Sequence, residues 1–298
     1  MKKIAVVGAG TMGSGIAHTF SQHGYSVQLI DNQIQALDAA MVSIDKNLQR
    51  QQKKGLLDQG SAAEILKRIK TMNVLEAGVQ NADLVVEAIV EDFDAKAAIF
   101  EHLDIFCPSN CILASNTSSI SIGKMAACTK RPDKVIGMHF MNPVPVMPLV
   151  EIISGIKTSA ETINIIKAIS ESIGKSALLV KDYPGFIANR ILMPMINEAI
   201  ISLNEGVSGV ETIDKIMKLG MAHPMGPLEL ADYIGLDVCL SILKVLHQGF
   251  GSSKYAPCPL LVNMVNSGSI GVKSGEGFYR YIPGTKEKVV SERFKSKL

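Results

Sequence analysis

Apolar and polar positions follow two different patterns along this chain. Up to Tyr183, short runs of mainly branched apolar residues alternate with longer stretches whose apolar positions recur every three or four residues. Beyond Phe186 the short runs almost vanish and helical spacing dominates. The short runs are Ile4–Val7, Ser26–Ile30, Asp83–Val90, Cys111–Ser115, Lys134–Met138, Leu149–Ile153 and Ser176–Val180, and each reads as a buried strand. In Gln33–Met72 the positions Ile34, Leu37, Ala40, Met41, Ile44 and Leu48 share one helical face, and breaks near Gly55 and Gly60 give the segment the form of an inserted helical hairpin. A further helix is expected over Ala160–Ile173. Past Pro184-Gly185, helices are expected over Ile187–Leu203 (kinked at Pro194), Val210–Leu219, Pro227–Ile234, Leu236–Gln248 and Pro259–Ser267. The pattern predicts a mostly parallel α/β domain over residues 1–183 and an all-α domain over 184–298. Helices this apolar need more burial than one small core supplies, so a homodimer built through the second domain is expected.

Composition narrows the picture. Hydrophobic residues make up 47% of the chain, and 30 basic against 28 acidic side chains leave a formal charge of +2. No global field favours nucleic acid, and no run nears the ~20 apolar residues a membrane span requires. The start, Met1-Lys2-Lys3 before Ile4–Val7, has the outline of a secretory signal, but glycines at 8, 10, 13 and 15 interrupt its apolar stretch. Cys107, Cys111, Cys128, Cys239 and Cys258 form no CxxC pair and no zinc spacing, so reduced thiols in the cytoplasm and no metal site are expected.

The glycines carry the first chemical signal. Gly8-Ala9-Gly10-Thr11-Met12-Gly13 lies between a strand and a helix, as a dinucleotide fingerprint of Rossmann type requires. Gly8 permits the turn, Gly10 admits the pyrophosphate, Gly13 lets helix and strand approach, and Thr11 and Met12 complete the cradle. Asp31 ends the second strand, where a carboxylate accepts the ribose 2′-hydroxyl and repels a 2′-phosphate; NAD is expected rather than NADP. Glu91 and Lys96 follow the Asp83–Val90 run, in which Glu87 is an exception, and Asn116-Thr117-Ser118-Ser119 follows the next strand. There Ser119 suits a helix cap and Ser118 a ligand-facing position. His139 ends one run and Glu151 sits among apolar neighbours in the next. Such a carboxylate needs a partner, and the pair reads either as a general base with its orienting acid or as a satisfied core pair. The basic end of the hairpin, Arg50, Lys53 and Lys54, suits a polyanionic handle or a solvated helix end.

Taken together, GAGTMG (8–13), VVEAIVED (85–92), ASNTSS (114–119), GMHFMNPVPVMPLVEII (137–153), DYPGFIANR (182–190), GPLELADYIGLD (226–237) and KSGEGFYRY (273–281) resemble the 3-hydroxyacyl-CoA dehydrogenase family, and its short bacterial 3-hydroxybutyryl-CoA members most. The resemblance covers nearly the full length. It implies that His139 is the catalytic histidine and Glu151 its carboxylate partner, with Ser118 and Asn189 contacting the substrate oxygen. Asp31, Glu91, Lys96, Ser118, Asn142 and Lys273 are then NAD contacts, and Lys53 or Lys54 meets the CoA phosphates of an acyl-CoA substrate. It also implies a site in a cleft between the domains. Related scaffolds act on sugar acids or carnitine without CoA, and a non-catalytic NAD(H)-binding protein is a further reading.

Overall fold

The computed structural model describes residues 2–285 and 287–295, which divide between Tyr183 and Pro184 into two compact units. In the first, β1 (Lys3–Val7) leads into α1 (Thr11–Gln22), β2 (Ser26–Ile30), α2 (Ile34–Lys53) and α3 (Ser61–Lys67). The chain continues through β3 (Ile69–Met72), α4 (Leu75–Val79), β4 (Leu84–Glu87), α5 (Phe93–Phe106), β5 (Ile112–Ser115) and α6 (Ile122–Ala127). It closes with β6 (Val135–Phe140), β7 (Leu149–Ser154), α7 (Ala160–Ser172) and β8 (Ser176–Lys181).

Among the described residues, eight of these strands form one sheet in the order β3-β2-β1-β4-β5-β6-β7-β8. All neighbours are parallel except β6 and β7, whose antiparallel register sets His139 opposite Glu151. The central strands are buried on both faces, which explains their nearly continuous apolar runs. Strand order reverses between β1 and β4, and the crevice beyond the carboxyl ends of such strands is where an open α/β sheet binds ligands. The unit's core joins Ile4, Val6, Leu29 and Val86 to Ile16 and Phe20 of α1 and Leu37, Ile44 and Leu48 of α2.

Two strand expectations change. Ile69–Met72, read as the end of the helical hairpin, is the edge strand β3 paired with β2. Only Ile69 of its four residues is buried, so it lacks the apolar run of an inner strand. The Asp83–Val90 run is strand only over Leu84–Glu87; the Glu87 carboxylate turns back to accept the Ile89 N–H at 2.8 Å, and the chain leaves the sheet.

The second unit contains α8 (Ala188–Asn204), which continues through Pro194, then α9 (Val210–Gly220), α10 (Pro227–Ile234), α11 (Leu236–Phe250) and α12 (Pro259–Asn266). Met193, Ile196, Leu228, Leu243, Leu246 and Phe278 lie in its core. It is not wholly helical: β9 (Tyr279–Tyr281) and β10 (Lys288–Val290) form an antiparallel pair. Buried Asp232 of α10 accepts the N–H groups of Phe278 and Tyr279 at 3.0 and 2.9 Å, fixing that hairpin to the helices. Two three-residue strands leave little periodicity to read.

Candidate active site

The glycine loop is built by close approach. Gly8 has φ +102°, and a Cβ there would stand 2.5 Å from the Ala88 carbonyl oxygen. A Cβ on Gly13 would stand 1.8 Å from the Gly8 oxygen, so any side chain forces α1 away from β1. Gly10 differs, with nothing within 4 Å of its Cβ position. As N-cap it leaves the amino end of α1 without a side-chain cap, so unpaired N–H groups and the positive end of the helix dipole remain for an anion. A cavity of about 670 Å³ adjoins this loop, lined in part by Gly8, Gly10, Thr11, Met12, Ile30 and Asp31. Asp31 accepts Ala9 N–H at 2.8 Å through Oδ2 and Gln33 N–H at 2.9 Å through Oδ1, which holds its carboxylate at the wall. An anion-ready helix end, open space above Gly10 and a fixed carboxylate fit a dinucleotide with a free ribose 2′-hydroxyl.

Beyond β4, β5 and β6 lies a polar constellation. His139 Nδ1 is 2.8 Å from Glu151 Oε2, and its Nε2 is 3.2 Å from Ser118 Oγ. Both members of the pair are nearly buried, at 6% and 3% exposure. A carboxylate only accepts, so Nδ1 carries the proton toward Glu151 and Nε2 of the neutral ring is left as the acceptor facing Ser118.

Glu91 anchors the loop that carries Ser118. Its Oε1 accepts from Thr117 Oγ1 at 2.6 Å, Ser118 N–H at 2.8 Å, and Ser119 N–H and Oγ, both at 3.0 Å. Burial pushes this carboxyl up, but the Lys96 charge and these hydrogen bonds outweigh it and hold Glu91 below the usual carboxylate range. Lys96 is 1% exposed, with Nζ 2.6 Å from Glu87 and 3.4 Å from Glu91. Glu87 Oε2 accepts in turn from Ser115 Oγ at 2.5 Å. Asn116 Oδ1 accepts Phe140 N–H at 2.9 Å, tying the loop to the strand of His139.

Of the residues expected at a site, the structure brings His139, Glu151 and Ser118 into contact and sets Gly8, Gly10, Thr11, Met12 and Asp31 around one cavity. Gly13 is buried against Gly8, while Glu91 and Lys96 serve the Ser118 loop and do not line that cavity. Asn142 lines a second cavity of about 420 Å³, shared with Thr11, His18, Ser43, Asn47, Val144 and Pro145. Lys53 and Lys54 are exposed at the carboxyl end of α2 and line neither cavity. Asn189, in the first turn of α8, and Lys273, paired with Asp237 at 2.6 Å, belong to the second unit. The structural roles of Asn116 and Glu87 escape a reading of the sequence, although both residues stand out in it, Asn116 in a polar run after a strand and Glu87 as a glutamate in an otherwise apolar strand.

These features define a dehydrogenase with a Rossmann-type NAD domain. The chain belongs to the 3-hydroxyacyl-CoA dehydrogenase family. The family's NAD-binding domain matches residues 3–183 and its C-terminal domain residues 185–281. A probable 3-hydroxybutyryl-CoA dehydrogenase of Bacillus subtilis (strain 168) is 53% identical over 281 residues, spanning 94% of this chain and 98% of that protein. A 3-hydroxybutyryl-CoA dehydrogenase of Bradyrhizobium diazoefficiens is 50% identical over 94% of this chain and 96% of its own. The crystal structure of (S)-3-hydroxybutyryl-CoA dehydrogenase PaaH1 from Ralstonia eutropha superposes with a TM-score of 0.91 at 45% identity, covering 95% of this chain and 99% of that one. The protein is accordingly an NAD-dependent oxidoreductase of 3-hydroxyacyl-CoA. No helix among the described residues is long and apolar enough to cross a membrane.

Proposed function

We propose that this enzyme interconverts (3S)-3-hydroxybutyryl-CoA and acetoacetyl-CoA, with His139 and Glu151 as its acid–base pair. The observation that carries the reading is the line from Glu151 Oε2 through the His139 ring to Ser118 Oγ, with contacts of 2.8 and 3.2 Å. Bound NAD supplies the hydride acceptor for oxidation and, reduced, the donor for reduction. In oxidation His139 Nε2 takes the proton from the C3 hydroxyl as that carbon becomes a ketone, and in reduction the imidazolium returns it. Glu151 fixes the ring's tautomer and offsets the positive charge it gains. Ser118, whose N–H is fixed by Glu91, directs its hydroxyl to the substrate oxygen, and Asn189 supplies a second donor to it.

Asn142 and Lys273 are assigned to the cofactor with Asp31, while Glu91 and Lys96 act on it through the loop they hold. The 420 Å³ cavity, with Ser43, Asn47 and Asn142 on its wall, suits an amide-bearing acyl carrier arm. Arg50, Lys53 and Lys54, at the end of the same helix that supplies Ser43 and Asn47, suit the CoA phosphates. Exposed Ile216, Leu219 and Met221, on or just after α9, support a homodimer through the second unit, and five free cysteines support a cytoplasmic setting.

The test is loss of NADH absorbance with acetoacetyl-CoA, repeated with longer 3-ketoacyl-CoAs and with dehydrocarnitine. The proposal predicts the highest kcat/KM for acetoacetyl-CoA. A preference for long chains would remove the short-chain assignment, and turnover of dehydrocarnitine alone would remove CoA.

A further inference from the structure

The loop joining β6 to β7 carries Asn142 and walls the second cavity, yet it lies outside regular secondary structure. Its own hydrogen bonds are few: Pro143 O accepts the N–H groups of Val146 and Met147 at 2.9 and 3.0 Å. Two outside elements hold it. On one side Val144, 2% exposed, fills the notch at Gly15 of α1, where a Cβ would stand 2.9 Å from Val144 Cβ. On the other is Lys175, between α7 and β8, 7% exposed. Its Nζ donates to Val144 O at 2.6 Å and Met147 O at 2.8 Å, while the next residue, Ser176, donates its N–H to Pro148 O at 2.7 Å. An ammonium this buried is costly unless hydrogen bonds replace its water, and here the replacement comes from two carbonyls of one loop, so lysine and loop hold each other in place.

We infer that Lys175 is a positioning residue for this dehydrogenase: it fixes the 142–148 loop so that Asn142 and the Val144–Pro145 wall stand ready for cofactor and acyl-CoA. The inference rests on the function proposed above. Lys175 touches neither reacting atoms nor the His139–Glu151 pair, so its loss should loosen binding on both sides of the loop while proton transfer proceeds. A loosened wall must be ordered again when ligands bind, a cost that appears in KM rather than in kcat.

The experiment compares wild type, Lys175→Met, Lys175→Arg and Gly15→Ala in steady-state reduction of acetoacetyl-CoA, with hydrogen exchange of the 142–148 segment followed in the enzyme alone. Lys175→Met should raise KM for acetoacetyl-CoA and NADH about tenfold with kcat within about threefold, and should speed exchange at Val146 and Met147. Lys175→Arg, still a donor to carbonyls, should recover most of the KM loss. Gly15→Ala strengthens helix propensity but displaces Val144 from the opposite side, so it should show the same KM signature in a folded enzyme even where Lys175→Met folds poorly. Wild-type KM values in both Lys175→Met and Gly15→Ala, or an equal fall in kcat and rise in none of the KM values, would overturn the inference. Wild type inactive on every 3-ketoacyl-CoA would instead count against the proposed function, and the exchange data would still decide whether Lys175 holds the loop.

Discussion

Replacing Glu87 by glutamine tests the ionic floor beneath the Ser118 loop. Glu87 is 0% and Lys96 1% exposed, their charged atoms 2.6 Å apart. Glutamine keeps the shape and one acceptor for Lys96 and the Ile89 N–H, and the Ser115 hydroxyl can rotate to accept from the new amide. What is lost is the countercharge. Glu91, 3.4 Å from the ammonium and with a side chain 37% exposed, is a weaker partner. Breaking a buried pair by removing one member costs about 3–5 kcal/mol, because the remaining charge stays buried. For a unit of this size each kcal/mol moves Tm by about 2–4 °C, giving a fall of about 6–20 °C for Glu87→Gln. Lys96→Met should cost less, since the Glu87 carboxylate keeps donors in Ser115 Oγ and Ile89 N–H. The double variant should be clearly more stable than the summed single losses allow, by about 2 kcal/mol or more. The chain has no tryptophan, so urea unfolding is best followed by far-UV circular dichroism. A double variant whose loss equals the sum of the two single losses would show that the pair does not act as one unit.

Two further outcomes follow from the same geometry. Asp31→Ala removes the carboxylate that holds Ala9 and Gln33 and faces the cavity, so the ratio of kcat/KM for NADH over NADPH should fall at least about tenfold; an unchanged ratio would assign cofactor choice elsewhere. Buried His18 on α1 has its pKa lowered by burial from 6.5 to about 4. Between those values the unfolded chain binds the proton more readily, so this histidine's contribution is whole above pH 6.5 and is lost as pH falls toward 4. From pH 7 to pH 4.5 wild type should lose about 2 kcal/mol relative to His18→Gln in urea unfolding; equal losses in both would contradict the burial argument.

What the sequence made legible, and what it hid, follows from which interactions carry residue identity. The run of branched apolar residues around His139 and Glu151 is readable because both strands are buried, and the antiparallel register then fixes the two side chains opposite one another. The edge strand Ile69–Met72 buries only its first residue, and the helical spacing upstream ran over it. Glu87 was visible as an anomaly, but Lys96 lies on the next helix, and their meeting depends on how α5 leaves the sheet. Lys175 gave no signal at all: its acceptors are carbonyls of Val144 and Met147, and any residue would offer the same groups. Ser118 and Glu91 fall in between. Their types suggested chemistry, while the loop geometry that makes one anchor the other depends on three-dimensional placement.

The most direct test is the steady-state rate of acetoacetyl-CoA reduction by His139→Gln and Glu151→Gln, read beside NADH affinity measured without substrate. The geometry predicts kcat lowered by about 10²–10⁴-fold in each, with NADH affinity close to that of wild type. Either variant turning over within about threefold of wild type would contradict the acid–base pair.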